Sequence, residues 1–115
     1  MAEKTLTHEP TLTRSRMMRH RAFSRALASS SRLVILAALA RGEKTATELR
    51  EMLGASAPLI SWHLRVLKRE SLLTTRRRGR EVVCNLNEPE LLRKQRSLFE
   101  EILGSSKPGL GGESS

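Results

Sequence analysis

Thr45-Ala46-Thr47-Glu48-Leu49-Arg50-Glu51-Met52-Leu53-Gly54-Ala55-Ser56-Ala57-Pro58-Leu59-Ile60-Ser61-Trp62-His63-Leu64-Arg65-Val66-Leu67 is the stretch that decides the fold. Thr45 followed three residues later by Glu48 has the form of a capping box, in which each side chain satisfies the other's backbone N–H. Leu49, Met52 and Leu53 then supply one apolar face. Gly54 is suited to the left-handed conformation that ends a helix. Ala55 alone separates it from Ser56, a second capping residue. Pro58 follows at the start of a new helix, where its missing N–H does no harm. Two helices joined by so short a Gly-containing turn form a helix-turn-helix.

The second of these helices, read to about Arg69, divides into two faces. Ile60, Leu64 and Leu67 fall at i, i+4 and i+7 and must face a core. Ala57, Pro58, Ser61, Trp62 and Arg65 then face outward, with Ser56 and Leu59 beside them. A face of this kind fits a DNA major groove, which is wide enough for one helix. Ser61 and Arg65 are able to bond base edges, Ala57 and Leu59 to touch thymine methyls, and Trp62 to lie on the sugar-phosphate backbone. With so few bidentate groups, modest direct readout is expected, with more weight on backbone contacts and DNA shape. His63 borders the core stripe and is read as a packed, hydrogen-bonded histidine.

Downstream, Leu73 to Arg77 and Glu81 to Leu86 read as two strands joined at Arg78-Gly79. Arg76, Arg77, Arg78 and Arg80 crowd this hairpin, and nearby Glu81 offsets one of them. Behind a helix-turn-helix, such a tip is suited to phosphates or a minor groove. Upstream, Arg14 to Ala28 is helical in pattern. Ser29-Ser30-Ser31 breaks it and caps a dense core helix carrying Leu33, Ile35, Leu36 and Leu39, which stops at Gly42. After Asn87-Glu88-Pro89, a last helix bears Leu91, Leu92, Leu98, Phe99, Ile102 and Leu103. The expected fold is mainly α with a two-stranded β-wing, in the order α-α-α-α-β-β-α. Residues 1–13 form a flexible arm in this reading, 14–103 the winged helix-turn-helix domain, and 104–115 a disordered tail.

The 115 residues suffice for one domain. Lys and Arg total 21 against 12 acids, all of them Glu, giving a net charge of +9. Arg far outnumbers Lys, and Arg is the better phosphate fork. This balance points to a polyanionic partner. Cys84 is the single cysteine, so an internal disulfide is excluded, and a redox role would need a thiol from another chain. No apolar run approaches the ~20 residues of a membrane span, and no signal segment opens the sequence; no membrane partner is expected, and the location expected is cytoplasmic. No nucleophile–base pair or Gly-rich phosphate loop is present, so no enzyme and no cofactor are expected. His8, His20 and His63 are scattered, without metal-ligand spacing.

With Ser56-Ala57-Pro58-Leu59-Ile60-Ser61-Trp62-His63-Leu64 and the Arg78-Gly79-Arg80 wing leading to Val82-Val83-Cys84-Asn85-Leu86, the chain resembles the ArsR/SmtB family of bacterial winged-helix repressors. The likeness runs from about Phe23 to Leu103 and keeps Arg32 and Leu33; Ser29-Ser30 stands where the family usually has Asp-Pro. The resemblance implies a homodimer whose first and last helices pair across a two-fold axis, with Phe23, Leu27, Leu91, Leu98, Phe99 and Ile102 at the interface. It implies two recognition helices on an inverted repeat in double-stranded DNA. The positions matching Ala57, Pro58, Ser61 and Trp62 commonly touch bases or phosphates in the family; Ala57 stands where Gln is frequent, which removes an amide from that position. Family metal sites use Cys pairs near the third helix or Asp/His sets in the last one. Lys44 to Leu53 has no Cys and Asn87 to Leu103 no His or Asp, so no metal is expected, and no effector is specified. The alternative is an architectural or protein-interaction module with little sequence specificity.

Overall fold

The computed structural model describes residues 14–104. The arm expected over residues 1–13 and the tail expected beyond Gly104 lie outside the described residues. Within them the chain is a winged helix-turn-helix, mainly helical with a small antiparallel sheet. Helix α1 (Arg14–Met17) passes through a 3-10 turn (Met18–His20) into α2 (Arg21–Leu27). The single helix expected from Arg14 to Ala28 is therefore broken. His20 leaves helical geometry (φ −106°, ψ 2°), and its ring is buried. Beyond the break, Phe23 and Ala26 point into the core.

Ser29 caps α3 (Ser30–Ala40) by accepting from the Arg32 N–H at 3.2 Å. Ile35, Leu36, Ala38 and Leu39 of that helix are buried. The capping box forms as expected: Thr45 Oγ1 accepts from the Glu48 N–H at 3.0 Å, and Glu48 Oε1 from the Thr45 N–H at 2.8 Å. It opens α4 (Ala46–Leu53), which ends at Gly54 with φ 61°. Left-handed backbone of this kind costs a side-chain-bearing residue about 1–2 kcal/mol. Helix α5 (Ala57–Arg69) follows, capped by Ser56. It ends in a Schellman motif, with the Leu72 N–H bonded to Leu67 O at 3.0 Å and the Ser71 N–H to Lys68 O at 2.9 Å. Ser71 itself adopts φ 63° there.

The wing strands are β2 (Leu73–Arg78) and β3 (Glu81–Leu86), paired with Leu73 opposite Leu86 and Arg78 opposite Glu81. A short strand β1 (Lys44–Thr45), absent from the sequence reading, pairs with the other edge of β3. The sheet is thus three-stranded, in the order β1-β3-β2. Thr45 serves both as the last residue of β1 and as the cap of α4, which fixes the helix-turn-helix to the sheet. Asn87 caps α6 (Glu88–Leu103), in which no residue is fully buried.

Ile35, Leu49, Leu67, Leu72, Leu73, Val83 and Cys84 form the fully buried centre of the core. Each large aliphatic side chain there contributes roughly 1.5–3 kcal/mol by leaving water. Cys84 lies in the central strand, and burial pushes its thiol above the ordinary range. A buried thiol held protonated is unreactive.

Candidate nucleic-acid interface

Helix α5 is braced from beneath. Ile60, Leu64 and Leu67 are buried as the spacing requires. His63 is buried among them, and its Nδ1 accepts from an Arg32 guanidinium nitrogen at 3.2 Å. Burial first, and the Arg32 charge second, hold the His63 pKa below its ordinary value. The ring is therefore neutral, a packed and bonded histidine as the sequence indicated. Arg32 also donates through Nε to Ala26 O at 2.9 Å and through its third guanidinium nitrogen to Arg25 O at 3.0 Å. One arginine thus ties the end of α2 and the start of α3 to α5. Arg32 is visible in the sequence only as a family likeness, because its contact with His63 spans 31 positions and leaves no local pattern.

The outward face of α5 is placed as expected. Ser56, Ala57, Pro58, Leu59, Ser61, Trp62 and Arg65 are all exposed, Trp62 at 47%. Ser56 Oγ accepts from the Leu59 N–H at 3.3 Å and is committed to capping. Ser61, Trp62 and Arg65 have no side-chain hydrogen bond or ion pair among the described residues, so their polar atoms are open to a partner. In the first turn of α5 Pro58 carries no N–H and the Leu59 N–H is held by Ser56, which leaves the Ala57 N–H to face a phosphate.

The wing differs from its expected electrostatics. Arg76, Arg77, Arg78 and Arg80 are exposed, with Gly79 at φ 65° turning the tip. Strand alternation puts Arg76 and Arg78 on one face, and Glu43 meets both. Arg76 makes a two-pronged contact with it at 3.1 and 3.4 Å, and Arg78 reaches it at 3.4 Å. The Arg76 hydrogen bond is the main reason that the Glu43 carboxyl lies below its ordinary pKa. Glu81, expected to offset a wing arginine, instead accepts from the Thr47 hydroxyl at 3.2 Å. Arg77 and Arg80 have no ion-pair partner among the described residues. Glu43 was missed because it reaches the wing only through β1, a strand too short to show in the sequence.

The residues expected at a dimer interface separate into two groups. Phe23 is only 4% exposed, within this chain's own core, and offers no surface; that assignment is corrected. Leu27, Leu91 and Leu98 lean on the core as half-buried residues. Phe99 and Ile102 are each 49% exposed, and Leu92 and Leu103 join them on α6. Met17 and Met18 add exposed apolar surface near the same end, where Arg16 Nε lies 2.9 Å from Glu101 Oε2 of α6.

Among the described residues, no three His, Cys or Glu side chains gather to hold a metal ion. His63 is bonded to Arg32, and His20 Nε2 lies 3.9 Å from a Glu101 oxygen; His8 lies outside the described residues. No single described helix is long and apolar enough to cross a membrane.

The family described as "Bacterial regulatory protein, arsR family" matches residues 29–75, from the cap of α3 to the wing. The chain is 34% identical over 90 residues to a Streptomyces lividans protein described as "Probable mercury resistance operon repressor", covering 78% of this chain and 66% of that one. The chain therefore spans just under two thirds of that relative's length. A crystal structure described as "Possible transcriptional regulator for arsenical resistance" superposes with a TM-score of 0.62 at 31% identity, over 79% of this chain and 94% of that one. The solution structure of a homodimeric winged helix-turn-helix DNA-binding domain from Mycobacterium bovis gives a TM-score of 0.60 at 25% identity, over 75% and 84% of the two chains.

Proposed function

The chain belongs to the ArsR family of bacterial regulatory proteins, and on that premise we propose that it is a homodimeric, cytoplasmic repressor that binds an inverted repeat in double-stranded DNA. The observation that carries this reading is the uncommitted outer face of α5. Ser61, Trp62 and Arg65 stand exposed and unpaired on a helix that is fixed from below, with Arg77 and Arg80 free on the adjoining wing. Ser61 and Arg65 read base edges in the major groove, with apolar contact from Ala57 and Leu59. Trp62 and the N-terminal turn of α5 lie against the backbone. Arg76, Arg77, Arg78 and Arg80 take phosphates or the minor groove.

The dimer forms through α6, where Phe99, Ile102, Leu92 and Leu103 leave an apolar stripe half in water. Leu91, Leu98 and Leu27 back this stripe from within. The protein works without the family's metal site, because α4 has no Cys and α6 no His or Asp. It is a regulator rather than an enzyme. Selection of bound duplexes from a random pool tests the reading. It should enrich an inverted repeat with half-sites about 10–10.5 base pairs, or a multiple of that, apart. A pool that stays random through successive rounds would contradict it.

A further inference from the structure

A cavity of about 460 Å³ opens between α2 and α5. That volume lies within the range of small-molecule sites. Trp62, Val66, Ala22 and Met18 give it apolar walls, and four arginines, Arg21, Arg25, Arg32 and Arg69, line it as well. Arg32 is engaged through all three guanidinium nitrogens in the clamp on Ala26, Arg25 and His63. The one acid in the lining, Glu70, is already held by Lys94, whose Nζ lies 2.7 Å from Glu70 O and 3.2 Å from Oε1. Arg21, Arg25 and Arg69 therefore converge with no carboxylate partner among the described residues. Like charges gathered at one concave site repel one another, and an anion bound there relieves that repulsion.

We propose that this cavity binds an organic anion, a carboxylate carried on an aromatic ring system about the size of two fused rings. The guanidinium groups grip the carboxylate through paired, charge-assisted hydrogen bonds. The exposed indole of Trp62 stacks on the ring, with Val66 and Met18 closing around its edge. A sugar-phosphate would satisfy the arginines but leave these apolar walls wet. The consequence of binding rests on the DNA-binding reading. Trp62 and Arg69 belong to α5, so a ligand between α2 and α5 takes up an indole and cations otherwise available to the DNA backbone. The ligand lowers DNA affinity, and DNA lowers ligand affinity by the same factor.

Trp62 is the only tryptophan, so the ¹⁵N-labelled full chain shows one indole N–H resonance, which reports on this cavity. Titration with 2-naphthoate should shift that resonance saturably. Neutral 2-naphthylmethanol and inorganic phosphate should each bind at least about tenfold more weakly, because each supplies half of the recognition. Arg25→Ala and Arg69→Ala should each weaken naphthoate binding about tenfold while melting at the wild-type temperature. Arg25→Gln is the second variant, should the alanine change disturb folding. Saturating naphthoate should also reduce affinity for a selected DNA duplex at least about fivefold. Equal binding of naphthoate and naphthylmethanol, or full binding by the arginine variants, would overturn the site. Naphthoate bound with DNA affinity unchanged would overturn the coupling. Naphthoate bound by a chain that binds no DNA would uphold the site and remove the repressor reading instead.

Discussion

Helix α5 and the β2–β3 wing share the DNA-facing side of the proposed interface, and they are built in opposite ways. Helix α5 is immobilised beneath and left open above. Three aliphatic residues, a serine cap and the Arg32–His63 contact fix its axis, while Ser61, Trp62 and Arg65 have no side-chain partner among the described residues. The wing is rooted by Leu73 and Val83 in the core, but its charged end is partly occupied. Arg76 and Arg78 hold Glu43, and Arg77 and Arg80 have no ion-pair partner among the described residues. A phosphate competes with Glu43 for the first two and, among the described residues, meets no carboxylate at the others. On the proposed function the helix supplies position and base readout. On that function the wing supplies charge, and two of its four arginines share the one carboxylate of Glu43.

Separating two such units from their symmetry mates should have the largest effect. Phe99→Glu or Ile102→Glu should give monomers in sedimentation and lower affinity for an inverted repeat by about a hundredfold or more, since the second half-site is lost. A variant still dimeric would move the interface away from α6. Within the wing, Arg77→Ala should weaken binding to every duplex about fivefold to tenfold, and Arg76→Ala should weaken it less. Glu43→Gln should strengthen binding, because it frees two arginines. Equal losses at Arg76 and Arg77 would erase the distinction drawn from Glu43. On the helix, Ser61→Ala should cost roughly 1 kcal/mol of discrimination between selected and random duplexes and little affinity for random DNA. An equal loss on both would place Ser61 on phosphate.

The smallest effect concerns the brace under α5. Burial and Arg32 lower the His63 pKa in the folded chain, while the unfolded chain keeps the ordinary value near 6.5. The contribution is present above pH 6.5. As the pH falls through that value, the unfolded chain takes up a proton that the fold resists, and stability drops until the folded pKa is passed. Thermal melting between pH 7.5 and 5 should show this decline, and His63→Asn should flatten it. An identical slope in the variant would assign the decline to other groups.

The helix and both strands of the wing were legible in the sequence; the strand β1 and the Glu43 contact on the wing were not. The Thr45–Glu48 box, Gly54, the Ser56 cap and the Ile60–Leu64–Leu67 stripe are patterns within one or two turns, where local spacing dictates structure. Glu43 meets Arg76 across 33 positions and Arg32 meets His63 across 31. Such pairs depend on tertiary register and leave no periodic trace. Phe23 was placed at the interface by the family resemblance, which does not show that its ring packs into this chain's own core. The grouping of arginines around Trp62 leaves no trace in the sequence, since α2, α3 and α5 meet only in the folded chain.

In the proposed function a specific face on α5 and a general charge on the wing act together on DNA. The most direct test is the salt dependence of affinity for a selected inverted repeat and for a random duplex, measured on the wild-type chain and on Arg77→Ala. Specific binding should exceed random binding by about a thousandfold or more at physiological salt. The slope of log affinity against log salt should become shallower by about 0.9 for each Arg77 phosphate contact removed. Equal affinity for the two duplexes, with a slope that Arg77→Ala leaves unchanged, would contradict the account.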